Sequence, residues 1–199
     1  MKAVIVINGK GGIGKDTLIN AVVESGAMVF NVSTIDPIKD MCSHLNKQGE
    51  KDLAYRQLLS DVKKAVDTYY ETKNGISYTN QQALGAITLW HTQTEILGSE
   101  NSFMFVHIRE PENIEKFIDA ANQKVSAWKD ENISVASLLV TSDRALEDYG
   151  NSSDNNVENY DYDLVFESNG TKEEDGERFT KFLEDAFGKE DKAKDIERE

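Results

Sequence analysis

The chain has 199 residues, 39% of them hydrophobic and 29% charged, with a formal net charge of −14 and one cysteine, Cys42. That length and composition suit a single globular domain with one substantial core and room for a small lid. They exclude an internal disulfide, and so acidic a surface argues against a nucleic-acid partner, because the phosphate backbone is held by basic surfaces.

No apolar run approaches the ~20 residues of a membrane span. Met1-Lys2 leads directly into Ala3-Val4-Ile5-Val6-Ile7, too short a run for a secretory leader. The expected setting is therefore the reducing cytoplasm, with no membrane partner.

Residues 2–8 form a short β-branched run of the kind that makes a buried parallel strand. Gly9-Lys10-Gly11-Gly12-Ile13-Gly14-Lys15 follows, and a helix is expected over 15–25, closed by Gly26. Residues 27–33 read as a second strand. Asp36-Pro37 opens a short helix through Asn46, with Asp36 as N-cap and Pro37 at the first helical position. Long helices are expected over 52–71 and 81–97, separated by a break at Asn74-Gly75. Next come a strand at 103–108, a helix from Pro111 to about Lys129, a strand at 135–140 and a polar loop over 141–159. A last strand at 163–167, a turn at Ser168-Asn169-Gly170 and a helix capped by Thr171 complete the order, before a charged tail over 188–199. Strands alternating with helices predict a three-layer α/β fold around a central, mainly parallel sheet.

The N-terminal motif carries the chemistry. Gly-x-x-x-x-Gly-Lys between a strand and a helix is the phosphate-binding P-loop. Its glycines let backbone N–H groups turn toward phosphate oxygens, Lys15 supplies a point charge, and the helix that follows presents its positive end to the same anion. Gly9, Lys10, Gly11, Gly12, Ile13, Gly14, Lys15, Asp16 and Thr17 are therefore the expected triphosphate site. Asp16 stands where a hydroxyl residue is usual. A carboxylate is a hard ligand for Mg²⁺, so Asp16 and Thr17 are the candidate metal ligands, with the alternative that Asp16 only favours the helix N-terminus.

Lys10-Gly11-Gly12-Ile13-Gly14-Lys15 resembles the deviant P-loop of the dimeric partitioning and nitrogenase-iron-protein ATPases, and Asp36-Pro37 is similar to their Asp-Pro after the second strand. That resemblance implies that Lys10 reaches a partner's nucleotide across a dimer, in a nucleotide-binding switch or regulatory ATPase without a small-molecule acceptor. Asp16 departs from it, as does the lack of a hydrophobic strand ending in Asp-x-x-Gly.

A second resemblance runs from Lys2 to about Phe187. Gly14-Lys15-Asp16-Thr17 resembles the phosphate loop of phage deoxynucleoside monophosphate kinases and the animal-type phosphomevalonate kinases. Asp36-Pro37-Ile38-Lys39 is similar to their Gly-Pro-hydrophobic-Lys turn. Phe105-Val106-His107-Ile108-Arg109-Glu110 is similar to their strand ending in Asp-x-Arg, and Tyr160 to Thr171 to their closing segment. The resemblance implies an adenylate-kinase-like domain over 1–187 with a lid at 141–159. It implies an enzyme that moves the γ-phosphoryl of ATP·Mg²⁺ to a small phosphorylated acceptor, first of all a (deoxy)nucleoside monophosphate. His107 replaces the family's aspartate, and the lid region holds one arginine, Arg144.

Arg109, at a strand end, is either a bidentate ligand for the acceptor phosphate or the partner of Glu110, Glu112 or Glu115. Arg144 either closes onto the transferring phosphate or is a solvated arginine. With Lys15 and Asp16, these two arginines are the candidate catalytic residues. Asp36, Lys39 and Arg56 join Arg109 as candidate acceptor ligands, although Asp36 can serve only as a cap. Arg56 and Lys63, seven apart on one helix, share a face that either lines the acceptor site or is solvated. Asn169 and Gly170 are placed beside the adenine ring by the resemblance; a plain tight turn explains them equally. His107 reads as a buried, neutral histidine and Trp90 as core.

Overall fold

A computed structural model describes residues 1–45, 53–128, 132–143 and 157–188. Among these, the strands are β1 (Lys2–Asn8), β2 (Met28–Ser33), β3 (Ser102–His107), β4 (Ile133–Thr141) and β5 (Leu164–Glu167). The helices are α1 (Lys15–Glu24), α2 (Asp36–Cys42), α3 (Leu53–Asn74), α4 (Tyr78–Leu97), α5 (Pro111–Trp128) and α6 (Lys172–Phe187). The five strands pair in parallel in the order β2-β3-β1-β4-β5. This is the expected α/β architecture.

β1 lies at the centre and is apolar on both sides, as a strand covered on both faces must be. Ala3, Ile5 and Ile7 join Phe103, Phe105, Leu138, Val140 and Phe166 under α1 and α6. Val4 and Val6 join Met104, Val106 and Ile133 under α4 and α5. Trp90 is fully buried there, its indole N–H donating to Ser102 Oγ at 2.7 Å. A smaller cluster of Ile38, Cys42 and Leu59 joins α2 to α3. Because every strand runs the same way, all five carboxyl ends meet at one edge, where ligands bind in open α/β sheets.

Several boundaries differ from expectation. α4 begins at Tyr78, because the Ser77 hydroxyl accepts the Asn80 N–H and caps it three residues early. β4 begins at Ile133, where pairing with Lys2 extends the strand beyond its apolar run. Asp36 is not the cap of α2: Ile35 holds that position, and the Asp36 carboxylate accepts the Ser33 N–H at 3.1 Å. α2 ends at Cys42. Asn46, Asp52, Lys129, Arg144, the rest of the lid over 145–156 and the tail over 189–199 lie outside the described residues. No described helix is long and apolar enough to cross a membrane.

Candidate active site

The glycine-rich loop leaves β1 at Gly9 and enters α1 at Gly14. Gly9, Gly12 and Gly14 have φ of 142°, 77° and 95°, in the left-handed region that side chains disfavour. At Gly9 the restriction is double, since a Cβ would lie 2.5 Å from the Val140 carbonyl oxygen on β4. Ile13, at the loop's crest, is buried in the core under α1 and α6 and pins the loop from below. No side chain caps α1. Its first-turn N–H groups lack intrahelical acceptors, so the end of the helix is built for an anion.

Lys15 folds back across the loop, its ammonium donating to Gly9 O at 2.6 Å and Lys10 O at 3.0 Å. Lys10 extends outward and pairs with Glu158 of its own chain at 3.0 Å. The Asp16 side chain is 83% exposed, and Thr17 beside it is half-buried.

Asn8, the last residue of β1, is a junction that sequence reasoning passed over. It is 1% exposed and uses both ends of its amide. Oδ1 accepts the Gly9 N–H at 2.8 Å; Nδ2 donates to Arg109 O at 3.3 Å and to the Tyr162 hydroxyl at 2.8 Å. The Tyr162 hydroxyl donates in turn to Val157 O at 2.8 Å. Burial pushes the Tyr162 phenol up to about 12, against the Asn8 hydrogen bond, so it remains a donor. One buried amide thus joins the glycine-rich loop, the end of β3 and the segment leading to β5.

His107 is the last residue of β3, and its Nε2 lies 2.8 Å from Asn31 Oδ1 on β2 and 3.8 Å from Asp16 Oδ1. Burial holds the imidazole down to about 4; Asp16 opposes this, Lys15 adds to it, Asp36 opposes it and Arg109 adds to it. The ring is neutral at physiological pH, as expected, and its Nε2–H donates to Asn31. The charges of four candidate residues, Asp16, Lys15, Asp36 and Arg109, all act on this one ring.

Asp36 and Lys39 pair with each other at 2.7 Å. Arg109 is exposed just beyond His107, and Arg56 is half-buried on α3. Lys63 corrects the expectation that it lies with Arg56 on an acceptor-lining or solvated face. It is 7% exposed and pairs with Asp67 at 3.2 Å and Glu110 at 3.1 Å. Asp67 in turn accepts the Thr79 N–H and hydroxyl, so the charges tie α3 to the start of α4 and to the residue after Arg109. Glu110, named as a possible partner for Arg109, is drawn to Lys63.

At the far side of the edge, Asn169 Oδ1 accepts the Asp143 N–H at 2.9 Å, and Gly170 N–H donates to both oxygens of Asp175. Asp175, 3% exposed in the first turn of α6, also accepts the Ser168 hydroxyl and pairs with Arg178. The Asn169-Gly170 turn is therefore anchored to α6 and to the chain beyond β4.

Among the described residues no group of three or more His, Cys, Asp and Glu side chains is arranged to hold a metal ion. Asp16 and Thr17 still suit Mg²⁺, which takes few protein oxygens and fills its shell with water and phosphate.

No family model matches the chain, and no curated protein matches it. Among solved structures it is similar to the tunicamycin resistance protein of Deinococcus radiodurans, at 15% identity, covering 92% of this chain and 96% of that one with a TM-score of 0.45. It is also similar to a proposed kinase from Chloroflexus aurantiacus, at 13% identity, covering 93% and 95% of the two chains with a TM-score of 0.45.

Proposed function

We propose that this chain is an ATP-dependent phosphotransferase that moves the γ-phosphoryl group of ATP·Mg²⁺ to a small phosphorylated acceptor, with a (deoxy)nucleoside monophosphate as the first candidate. The observation that carries this reading is the loop from Gly9 to Gly14: three left-handed glycines, an uncapped helix end and Lys15 across the bowl. Backbone N–H groups and the helix dipole hold the β- and γ-phosphates, and Lys15 moves from its two carbonyls onto their charge. Asp16 and Thr17 hold the cation, which neutralises phosphate charge when bound.

The acceptor's phosphate faces the ends of β2 and β3, with Arg109 as its bidentate ligand and Asp36, Lys39 and Arg56 around it. An acceptor oxygen attacks the γ-phosphorus, the bond to the β-phosphate oxygen breaks, and ADP leaves. Such a transfer asks little covalent chemistry of the protein; alignment and electrostatics supply the rate. His107, neutral and donating to Asn31, brings no carboxylate to the end of β3, and Asp16 lies 3.8 Å from its ring. Arg144 completes the charge on the transferring group, and Asn169-Gly170 borders the adenine.

The dimeric-switch alternative requires Lys10 to reach a partner's nucleotide. Lys10 pairs with Glu158 of its own chain, an exposed contact that is easily exchanged and decides nothing between the two readings; the departure of Asp16 from the dimeric class favours the kinase reading. The test is a panel of nucleoside and metabolite monophosphates, each assayed with ATP·Mg²⁺ for ADP formation and for thermal stabilisation. A ligand that binds only the folded state raises its melting temperature. At least one monophosphate is expected to give both signals. ATP binding without any acceptor-dependent ADP across the panel sinks the phosphotransferase reading.

A further inference from the structure

α4 departs from the rest of the surface. Its twenty residues contain one charged side chain, Glu95, and Lys2 pairs with that at 2.5 Å. By the same count α3 carries seven charged side chains, α5 five and α6 nine. The inward side of α4 is spent on the core through Ala83, Ile87, Trp90 and Thr94. Gln82, Gly85, Leu89, Thr92 and Ile96 are exposed and fall at intervals of three and four, one stripe along the opposite side. Leu89 is 55% and Ile96 71% exposed.

Gly85 sits in the middle of this stripe without a reason among the described residues. Its φ is not in the left-handed region, and a Cβ there would meet nothing within 4 Å. A glycine in a helix interior costs about 1 kcal/mol relative to alanine. What it gives in return is an unobstructed backbone surface, which a second helix can approach closely.

We propose that this stripe pairs with the same stripe of a second copy, α4 against α4 about a two-fold axis. A two-fold interface sets a patch against itself, so charges of one sign within it face their own kind. Each copy carries −14, and two copies repel wherever their acidic faces meet. Of the long described helices, α4 has the fewest charges to face their own kind, and its exposed Leu89 and Ile96 supply apolar area. A helix of this length spans about 30 Å, and one face of it falls short of the ~800 Å² per partner of a standard interface, so the pairing belongs with the weak, concentration-dependent ones. α4 and the P-loop's helix α1 cover opposite faces of the sheet, so pairing leaves the phosphate loop open.

Analytical ultracentrifugation of the full chain across a concentration series tests this, in about 0.05 M and about 0.5 M NaCl. The mass is expected to rise from 22.3 kDa to twice that value, and at lower concentration in the higher salt, where the repulsion between copies is screened. Leu89→Glu with Ile96→Glu is expected to raise the dissociation constant at least ~100-fold. Gly85→Leu blocks close approach without adding charge and favours the helix, so it separates lost pairing from lost folding. Val165→Glu, a charge at an exposed valine on β5, leaves the dimer intact. A monomer at every concentration in both salts overturns the proposal, as does a dimer that survives both sets of α4 substitutions.

Discussion

Lys15 and His107 show how single side chains set the character of the site. Lys15 rests on two loop carbonyls, so its ammonium lies across the loop where the proposed function puts a phosphate. Lys15→Ala removes that charge and leaves the loop's backbone in place. Its affinity for ATP·Mg²⁺, read by calorimetry, is expected to fall at least ~100-fold, the scale of a charge-assisted hydrogen bond lost from an anion site; wild-type affinity would exclude Lys15 from phosphate binding. His107 makes a prediction about stability. Burial holds its imidazole at about 4 in the folded chain, whereas an unfolded histidine titrates near 6.5. Between those values the unfolded chain binds a proton that the native chain refuses. Stability is therefore complete above about pH 6.5 and falls as the pH drops toward 4, by roughly 2–3 kcal/mol from this group at the bottom of the window. His107→Asn keeps a hydrogen-bonding side chain without that titration. Urea unfolding of the variant is expected to depend less steeply on pH across this window than the wild type. Parallel curves would show that His107 carries no linked proton.

Helix against helix, the most exacting contact is between α1 and α6. A Cβ on Gly176 would come within 2.8 Å of the Ala21 Cβ, and neither atom is the end of a flexible side chain. Gly176→Ala gains about 1 kcal/mol in helix propensity but forces the helices apart, at a cost of about 1–3 kcal/mol for overpacking. The overpacking prevails, and the variant is expected to unfold at lower urea. Ala21→Gly in the same chain relieves the contact, so the two substitutions should be less harmful together than their sum; simple additivity would place the tight contact elsewhere. These elements also show what the sequence discloses. The glycine-rich turn between β1 and α1 was readable because its glycines and Lys15 lie within seven consecutive positions and their backbone requirements are local. The capping box was readable for the same reason: Thr171 accepts the Glu174 N–H, and the Glu174 carboxylate returns to the Thr171 N–H. Asn8 was not, because its partners Arg109 and Tyr162 are 101 and 154 positions away. Lys63 was misjudged for a related reason, since its place on α3 says nothing of Glu110, which the sheet brings beside it. The Ser77 cap was present in the sequence, and its signal was masked by the break at Asn74-Gly75.

At the scale of the whole chain, charge sets two tendencies against each other. The net charge of −14 makes the compact state repel itself. Exposed ion pairs such as Lys10–Glu158, Lys39–Asp36 and Lys116–Glu71 oppose that repulsion locally. Each such pair contributes only ~0–1 kcal/mol, and salt screens it. The repulsion is spread over the whole surface, and the Debye length of ~10 Å at 0.1 M means that added salt removes its longer-range part first. The close pairs, at 3 Å or less, lose a smaller share of their attraction. Screening therefore takes more from what destabilises the fold than from what holds it. The melting temperature is expected to rise as NaCl increases from about 0.02 M to about 0.3 M, measured at low micromolar concentration so that association between copies does not contribute. A fall over that range would mean that the local pairs outweigh the net charge, and that the acidic surface is better compensated than its total implies.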